Sequence, residues 1–237
     1  MLIENLNNTI IKCQKCPRLV KFRKKISIEK RKEFINQTYW GKPITGFGDI
    51  KSKILLVGLA PAAHGGNRTG RVFTGDKSSD FLYKCLYKVK MSNQPNSTHL
   101  NDGLKLKKSY ITTALKCVPP EDKPLKKELN NCFKFFDLEL GHLKNLKVII
   151  ALGKIGFDAC VYYFRANYDF KEKIKFGHGK IFKVPKNILL VGCYHPSPRN
   201  VNTGRLNENK MINLFKKACL LYTSDAADER SSVDLGG

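Results

Sequence analysis

Acidic side chains are scarce in this chain of 237 residues: 20 Asp and Glu stand against 43 Lys and Arg, a formal net charge of +23. So lopsided a balance draws polyanions to the surface and speeds their encounter. Nucleic acid is the leading partner and an anionic membrane surface the second, although a lysine-rich solvated surface accounts for the composition equally well. Long apolar runs are also missing. No stretch approaches the ~18 consecutive apolar residues of a membrane span. Met1 to Lys12 lacks the basic, apolar, then small order of a secretory signal. The expectation is a cytoplasmic, monomeric protein with no membrane role. Internal repeats are absent, and with 42% hydrophobic residues the chain can bury one packed core, which argues against intrinsic disorder.

Eight cysteines are present, and in a reducing compartment they read as ligands, nucleophiles or small core residues rather than disulfide partners. Cys85, Cys160 and Cys219 lie on apolar helix faces and Cys193 ends an apolar strand, so those four belong to the core. Cys13 and Cys16 form Cys13-Gln14-Lys15-Cys16-Pro17 in a polar stretch. Cys117 precedes Pro119 and Pro120, which forbid regular structure, and Cys132 sits near the start of an expected helix. By elimination, Cys13, Cys16, Cys117 and Cys132 form a candidate four-thiolate site. A second tightly spaced pair would point to zinc; the wide spacing here suits an iron–sulfur cluster at least as well.

Residues 1 to 50 are polar and basic, and the run from Lys21 to Lys32 fits a surface helix. Short apolar runs then appear at Ile54 to Leu59, Ser109 to Leu115, Val148 to Gly153 and Ile188 to Tyr194. Helix-period segments lie near 78–89, 125–142, 154–165 and 207–221. This alternation predicts an α/β protein, a three-layer α/β/α sandwich around a central, mostly parallel four-stranded sheet. Met91 to Lys108, rich in Asn, Ser and Lys, reads as a long loop or insertion. The stretch from Tyr222 to Gly237 carries four acids and one Arg, a composition foreign to the rest of the chain. It resembles translated sequencing-adapter read-through, so residues 1–221 are taken as the single domain and 222–237 as a non-native tail.

Two loops concentrate unusual residues. The first strand runs into Gly58-Leu59-Ala60-Pro61-Ala62-Ala63-His64-Gly65-Gly66 and on to Phe73-Thr74-Gly75-Asp76. Glycine there lets backbone approach a ligand closely, yet neither a Walker A nor a dinucleotide fingerprint is present. Phe73 lies in a loop rich in Gly, Arg and Thr and suits stacking on a flat ligand. Asp76 precedes a helix, where capping alone would explain it. The last strand runs into Tyr194-His195-Pro196-Ser197-Pro198-Arg199-Asn200, where sheets of this class build their sites.

Taken with Cys117 to Pro124, and with Tyr39-Trp40-Gly41-Lys42-Pro43 and Gly46-Phe47-Gly48-Asp49, these loops resemble the uracil-DNA glycosylase superfamily, most closely its family 5, the iron–sulfur type b enzymes. The likeness runs from Cys13 to about Leu214. It implies a [4Fe-4S] cluster on Cys13, Cys16, Cys117 and Cys132, with Asp76 and His195 as catalytic residues. It further implies a base pocket formed by Phe73, Gly58, Ala60, Ala63, Asp122 and Asn200. The implied reaction is hydrolysis of the N-glycosidic bond of uracil, with hypoxanthine and other deaminated bases, in double-stranded DNA. Two residues depart from the family pattern: Asp122 stands where Asn is common, and Ser79 where Gly is usual. The alternative reading is a non-catalytic iron–sulfur nucleic-acid-binding module. If 222–237 is foreign, its deletion leaves the melting temperature and activity unchanged, which a thermal melt and a turnover assay check together.

Overall fold

The structure, a computed structural model, describes residues 2–231, with side chains as far as Leu221. Six strands form one sheet: β1 (Phe47–Gly48), β2 (Ile54–Gly58), β3 (Ser109–Thr113), β4 (Val148–Leu152), β5 (Ile181–Val184) and β6 (Ile188–Cys193). Their order is β1-β3-β2-β4-β6-β5. The four expected strands are mutually parallel, and β1 and β5 add antiparallel edges to what the sequence suggested was a four-stranded sheet. Both edges lack the apolar run that marks a buried strand. β1 has two residues, and the half-buried β5 carries Lys183.

Eight helices complete the described residues: α1 (Ile3–Ile11), α2 (Pro17–Glu29), α3 (Gly66–Thr69), α4 (Lys77–Lys88), α5 (Lys126–His142), α6 (Lys154–Asn167), α7 (Pro198–Asn202) and α8 (Glu208–Ser231). Along β2 the pleat sends alternate residues to opposite faces. Ile54 and Leu56 join the core built with α4 and α8, and Leu55 and Val57 join the one built with α5 and α6. The three-layer sandwich follows. A third, smaller core of Leu6, Ile10, Leu19, Leu115, Cys132 and Phe135 fastens α1 and α2 to α5. Cys85, Cys160 and Cys193 are buried as expected. No helix among the described residues is long and apolar enough to cross a membrane. The backbone of α8 runs past the expected boundary at 221, while the side chains of 222–231 and residues 232–237 lie outside the described residues.

The segment 91–108 is the irregular loop or insertion expected, and it is held by specific contacts. Lys107 donates its N–H to Met91 O at 2.8 Å, and Ser92 bridges Leu106. Inside this strap, Asp102 Oδ2 meets Arg71 Nη2 at 2.6 Å, the two side chains being 5% and 3% exposed. Burial alone would raise the Asp102 carboxyl, but the Arg71 hydrogen bond and the N–H groups of Leu104 and Thr98 outweigh it and hold the group well below the usual carboxylate range. Sequence pattern missed this because one long-range ion pair, rather than any local periodicity, orders the segment. Asp102→Ala should cost about 3–5 kcal/mol, the scale for leaving one buried partner unpaired, read by urea denaturation. A loss under about 1 kcal/mol, as for exposed pairs, would contradict a buried role.

Candidate active site

The chain leaves β2 for β3 on one side of it and later returns to β4 on the other, so a crevice opens at the carboxyl ends of these strands. A cavity of about 290 Å³ lies there, lined by Leu59, Ala60, Ala62, Phe73, Asp76, Ser78, Asp122, His195, Ser197 and Pro198. Residues far apart in sequence thus meet: the loop after β2, the turn after β3 and the loop after β6. Phe73 is 7% exposed and has φ +47°, a left-handed conformation costly for an aromatic residue. Its ring covers Gly58, where any Cβ would sit 2.7 Å from the ring carbons. Gly58 therefore shapes the floor by lacking a side chain rather than by lining the cavity.

Asp76 is the N-cap of α4. Its Oδ1 accepts the Ser79 N–H at 2.9 Å, and the Asp76 N–H donates back to Ser79 Oγ at 3.0 Å. The departure Ser79 thus completes a capping box. The same carboxylate packs so closely on Gly65 that a methyl group there would overlap Oδ2. Burial pushes the Asp76 carboxyl above its ordinary value, opposed by the N–H groups of Ser79 and Ser78. Capping and cavity lining are both real here, so neither alone accounts for the residue.

His195 faces Phe73 across the cavity, ring centroids 6.0 Å apart and planes tilted by 33°. Burial pulls its imidazole down to about 4, so the ring is neutral at pH 7. Asn200 does not line the cavity. Its Nδ2 donates to His195 O at 2.9 Å, and its own carbonyl accepts the Leu206 N–H, so it braces the histidine loop. Ala63 is half-buried and also stands outside the lining. Asp122 does line the cavity, exposed, and with Glu121 it forms a pair at φ +55° and +54°.

The four candidate thiols, Cys13, Cys16, Cys117 and Cys132, line one cavity between α2 and α5. Cys13, Cys16 and Cys117 are half-buried and Cys132 is buried. Among the described residues no three His, Cys, Asp or Glu side chains are close enough to hold a single metal ion. Lys116 donates its N–H to Cys132 Sγ at 3.3 Å and Asn131 Nδ2 lies 3.5 Å from Cys16 Sγ. Burial pushes Cys117 up to about 12 and Cys132 to about 11, and the neighbouring cysteines add to both shifts.

Residues 45–219 match the family described as the uracil DNA glycosylase superfamily. The chain belongs to this superfamily. It is 40% identical over 214 residues to the type-5 uracil-DNA glycosylase of Mycobacterium bovis, covering 90% of this chain and 79% of that one. It is likewise 40% identical over 210 residues to the type-5 uracil-DNA glycosylase of Thermus thermophilus, covering 89% and 94%. The Pyrobaculum aerophilum enzyme of the same name is 38% identical over 211 residues, covering 89% of each chain.

Within this superfamily member, several residues that shape the site carried a weak signal or none. Ser197 and Pro198 line the cavity, and the two prolines of their loop mark it; Ser78 showed nothing that distinguishes it from an ordinary helix start. Gly65 could have been singled out from the Gly65-Gly66 pair. The pH dependence of His195 offers a check. Its pKa falls from 6.5 to about 4 on folding, so between those values the unfolded chain binds more protons and stability falls as pH falls. Relative to wild type, His195→Asn should flatten the stability–pH curve in this window by up to about 1.4 kcal/mol per pH unit. Parallel curves would mean an ordinary, solvated imidazole.

Proposed function

We propose that this chain is a DNA repair glycosylase that hydrolyses the N-glycosidic bond of uracil in double-stranded DNA, leaving an abasic site. Hypoxanthine and other deaminated bases are expected as further substrates. The observation that carries the reading is the meeting of Phe73, Asp76 and His195 at one 290 Å³ cavity, in a chain of the uracil-DNA glycosylase superfamily.

A base stacked inside a duplex must be extruded before it can be cleaved, and an aromatic wall such as Phe73 offsets part of the stacking lost. Bond cleavage leaves positive charge on the deoxyribose and negative charge on the departing base. The Asp76 carboxylate opposes the first and orients water. The neutral His195 ring donates a hydrogen bond to the carbonyl oxygen that becomes the oxyanion. On the wall formed by the loop after β2, Leu59, Ala60 and Ala62 offer no hydrogen bond to a base edge, and the polar side chains of the lining are Asp76, Ser78, Asp122, His195 and Ser197. A base edge turned to that apolar wall is read loosely. Lys and Arg on the surface hold phosphates without reading sequence.

We further infer that Cys13, Cys16, Cys117 and Cys132 hold a [4Fe-4S] cluster. What supports the reading is that the four thiols line one cavity and that their wide spacing in sequence suits a cluster at least as well as zinc. Bound there, the group clips α1 and α2 to the body and supplies no electron to a hydrolysis. Eight free thiols fit a cytoplasmic protein, and a monomer suffices because the described cavity needs no second chain.

Incubation with a uracil-containing duplex followed by alkali tests the function: strand breakage at uracil is expected, and an intact strand would favour binding alone. Asp76→Asn should abolish release while duplex affinity persists, because the carboxylate acts on charge that develops in the transition state. His195→Ala should cost roughly 10²-fold in rate. Anaerobically purified protein should be brown, with about four irons per chain, the colour fading in Cys117→Ser. Stoichiometric zinc without iron would refute the cluster.

A further inference from the structure

Among the described residues four Lys and Arg side chains are buried, and three of them have evident compensation. Arg71 meets Asp102, Lys116 meets Glu139, and Arg68 makes three hydrogen bonds of 2.6 Å while stacking on Phe34 at 3.8 Å. Arg23 is the exception. It is 4% exposed, and no carboxylate among the described residues lies within ion-pair distance of it. Its Nη2 donates to Cys13 O and its Nη1 to Gly41 O, both at 3.2 Å, while Nε is buried without a hydrogen-bond partner. A guanidinium taken out of water with neither full hydrogen bonding nor a counter-charge costs several kcal/mol. Such a group implies an anion close by.

The neighbourhood names the anion. Cys13 is one of the four thiol residues, and Gly41 lies two residues before Pro43, which also lines the cysteine cavity. Four thiolates outweigh the charge of an iron–sulfur core, so a filled centre is anionic overall and is tuned by charges around it. Arginine is suited to the place, since it stays protonated and is weakly hydrated when buried.

We propose that Arg23 is the counter-charge of the four-cysteine centre, a positioning residue that retains the cluster and raises its reduction potential without touching substrate. This rests on the cluster reading given above. Reduction adds an electron to a centre already negative, so a fixed cation beside it favours the reduced form. Removing the cation moves the potential down and loosens the metal.

The test compares anaerobically purified wild type, Arg23→Gln and Arg23→Lys. It reads iron per chain, the rate of visible bleaching by an iron chelator, and the one-electron midpoint potential. Arg23→Gln should bleach about tenfold faster and shift the potential negative by about 59 mV, the equivalent of tenfold in a one-electron equilibrium. Arg23→Lys, which keeps the charge and loses the fork of donors, should stay within about threefold of wild type on the same scale. Wild-type bleaching and potential in Arg23→Gln would overturn the proposal and leave the cluster reading intact. Equal damage in both variants would also overturn it, by assigning the role to the hydrogen bonds on Cys13 and Gly41. Wild type purified without iron would remove the cluster reading itself.

Discussion

The Asp76 carboxylate is held under opposing demands, and much of the surrounding structure answers to them. One oxygen must satisfy the first turn of α4, which favours the ionised form. Burial at the cavity wall disfavours that form and prevails. The balance holds only if the chain before Asp76 is rigid, and three anchors make it so. Arg68 donates to Gly75 O, the strap residue Ser97 accepts the Gly75 N–H, and the Thr74 and Ser97 hydroxyls share a hydrogen bond at 2.7 Å. Arg71 and Asp102 stand behind those contacts, so a surface excursion of the chain becomes a support for the turn that also strains Phe73.

The scarcity of acids acquires a structural meaning in this light. Several of the few carboxylates are used inside the molecule. Asp102 pairs with Arg71, Glu139 with Lys116 and Thr112, and Glu128 takes two hydrogen bonds of 2.8 Å from Arg18. Each such pair withdraws one charge of either sign, so the whole excess of +23 stays with the remaining side chains. What remains for solvent is strongly positive, which suits phosphate contact at low specificity. The same arrangement makes the body self-repelling, a cost offset by the three apolar cores.

The N-terminal helices depend most on a local device. α1 and α2 reach the body through a small core that includes the four candidate ligand cysteines or their immediate neighbours. Arg18 on Glu128 adds a second tie to α5. Arg23, on the same helix, contributes its backbone carbonyl to Asn67 of the active-site loop at 3.4 Å and its guanidinium to Cys13. The cysteine cavity and the loop leading to Asp76 are therefore joined through one side of α2.

The four central strands and the main helices were legible along the chain because each buries a complete face, which imposes continuous apolar runs on strands and a 3.6-residue period on helices. Asp76, Phe73 and His195 stood out as unusual residues in loops at strand ends, and the fold brings the three to one cavity, with Phe73 also packing beside Val72 in the core. Grouping the thiols needed only elimination by neighbourhood, and the fold brings those four around one cavity. The edge strands, the ordered strap over 91–108 and the bracing role of Asn200 were not legible. Each is decided by a single contact between residues distant in sequence or by a carbonyl's choice of partner, and such contacts leave no period to read. The burial of Arg23 within a run of exposed lysines belongs with them: seven basic residues between Lys21 and Lys32 look alike in one dimension, and only the packing of α2 against Cys13 and Gly41 singles one out.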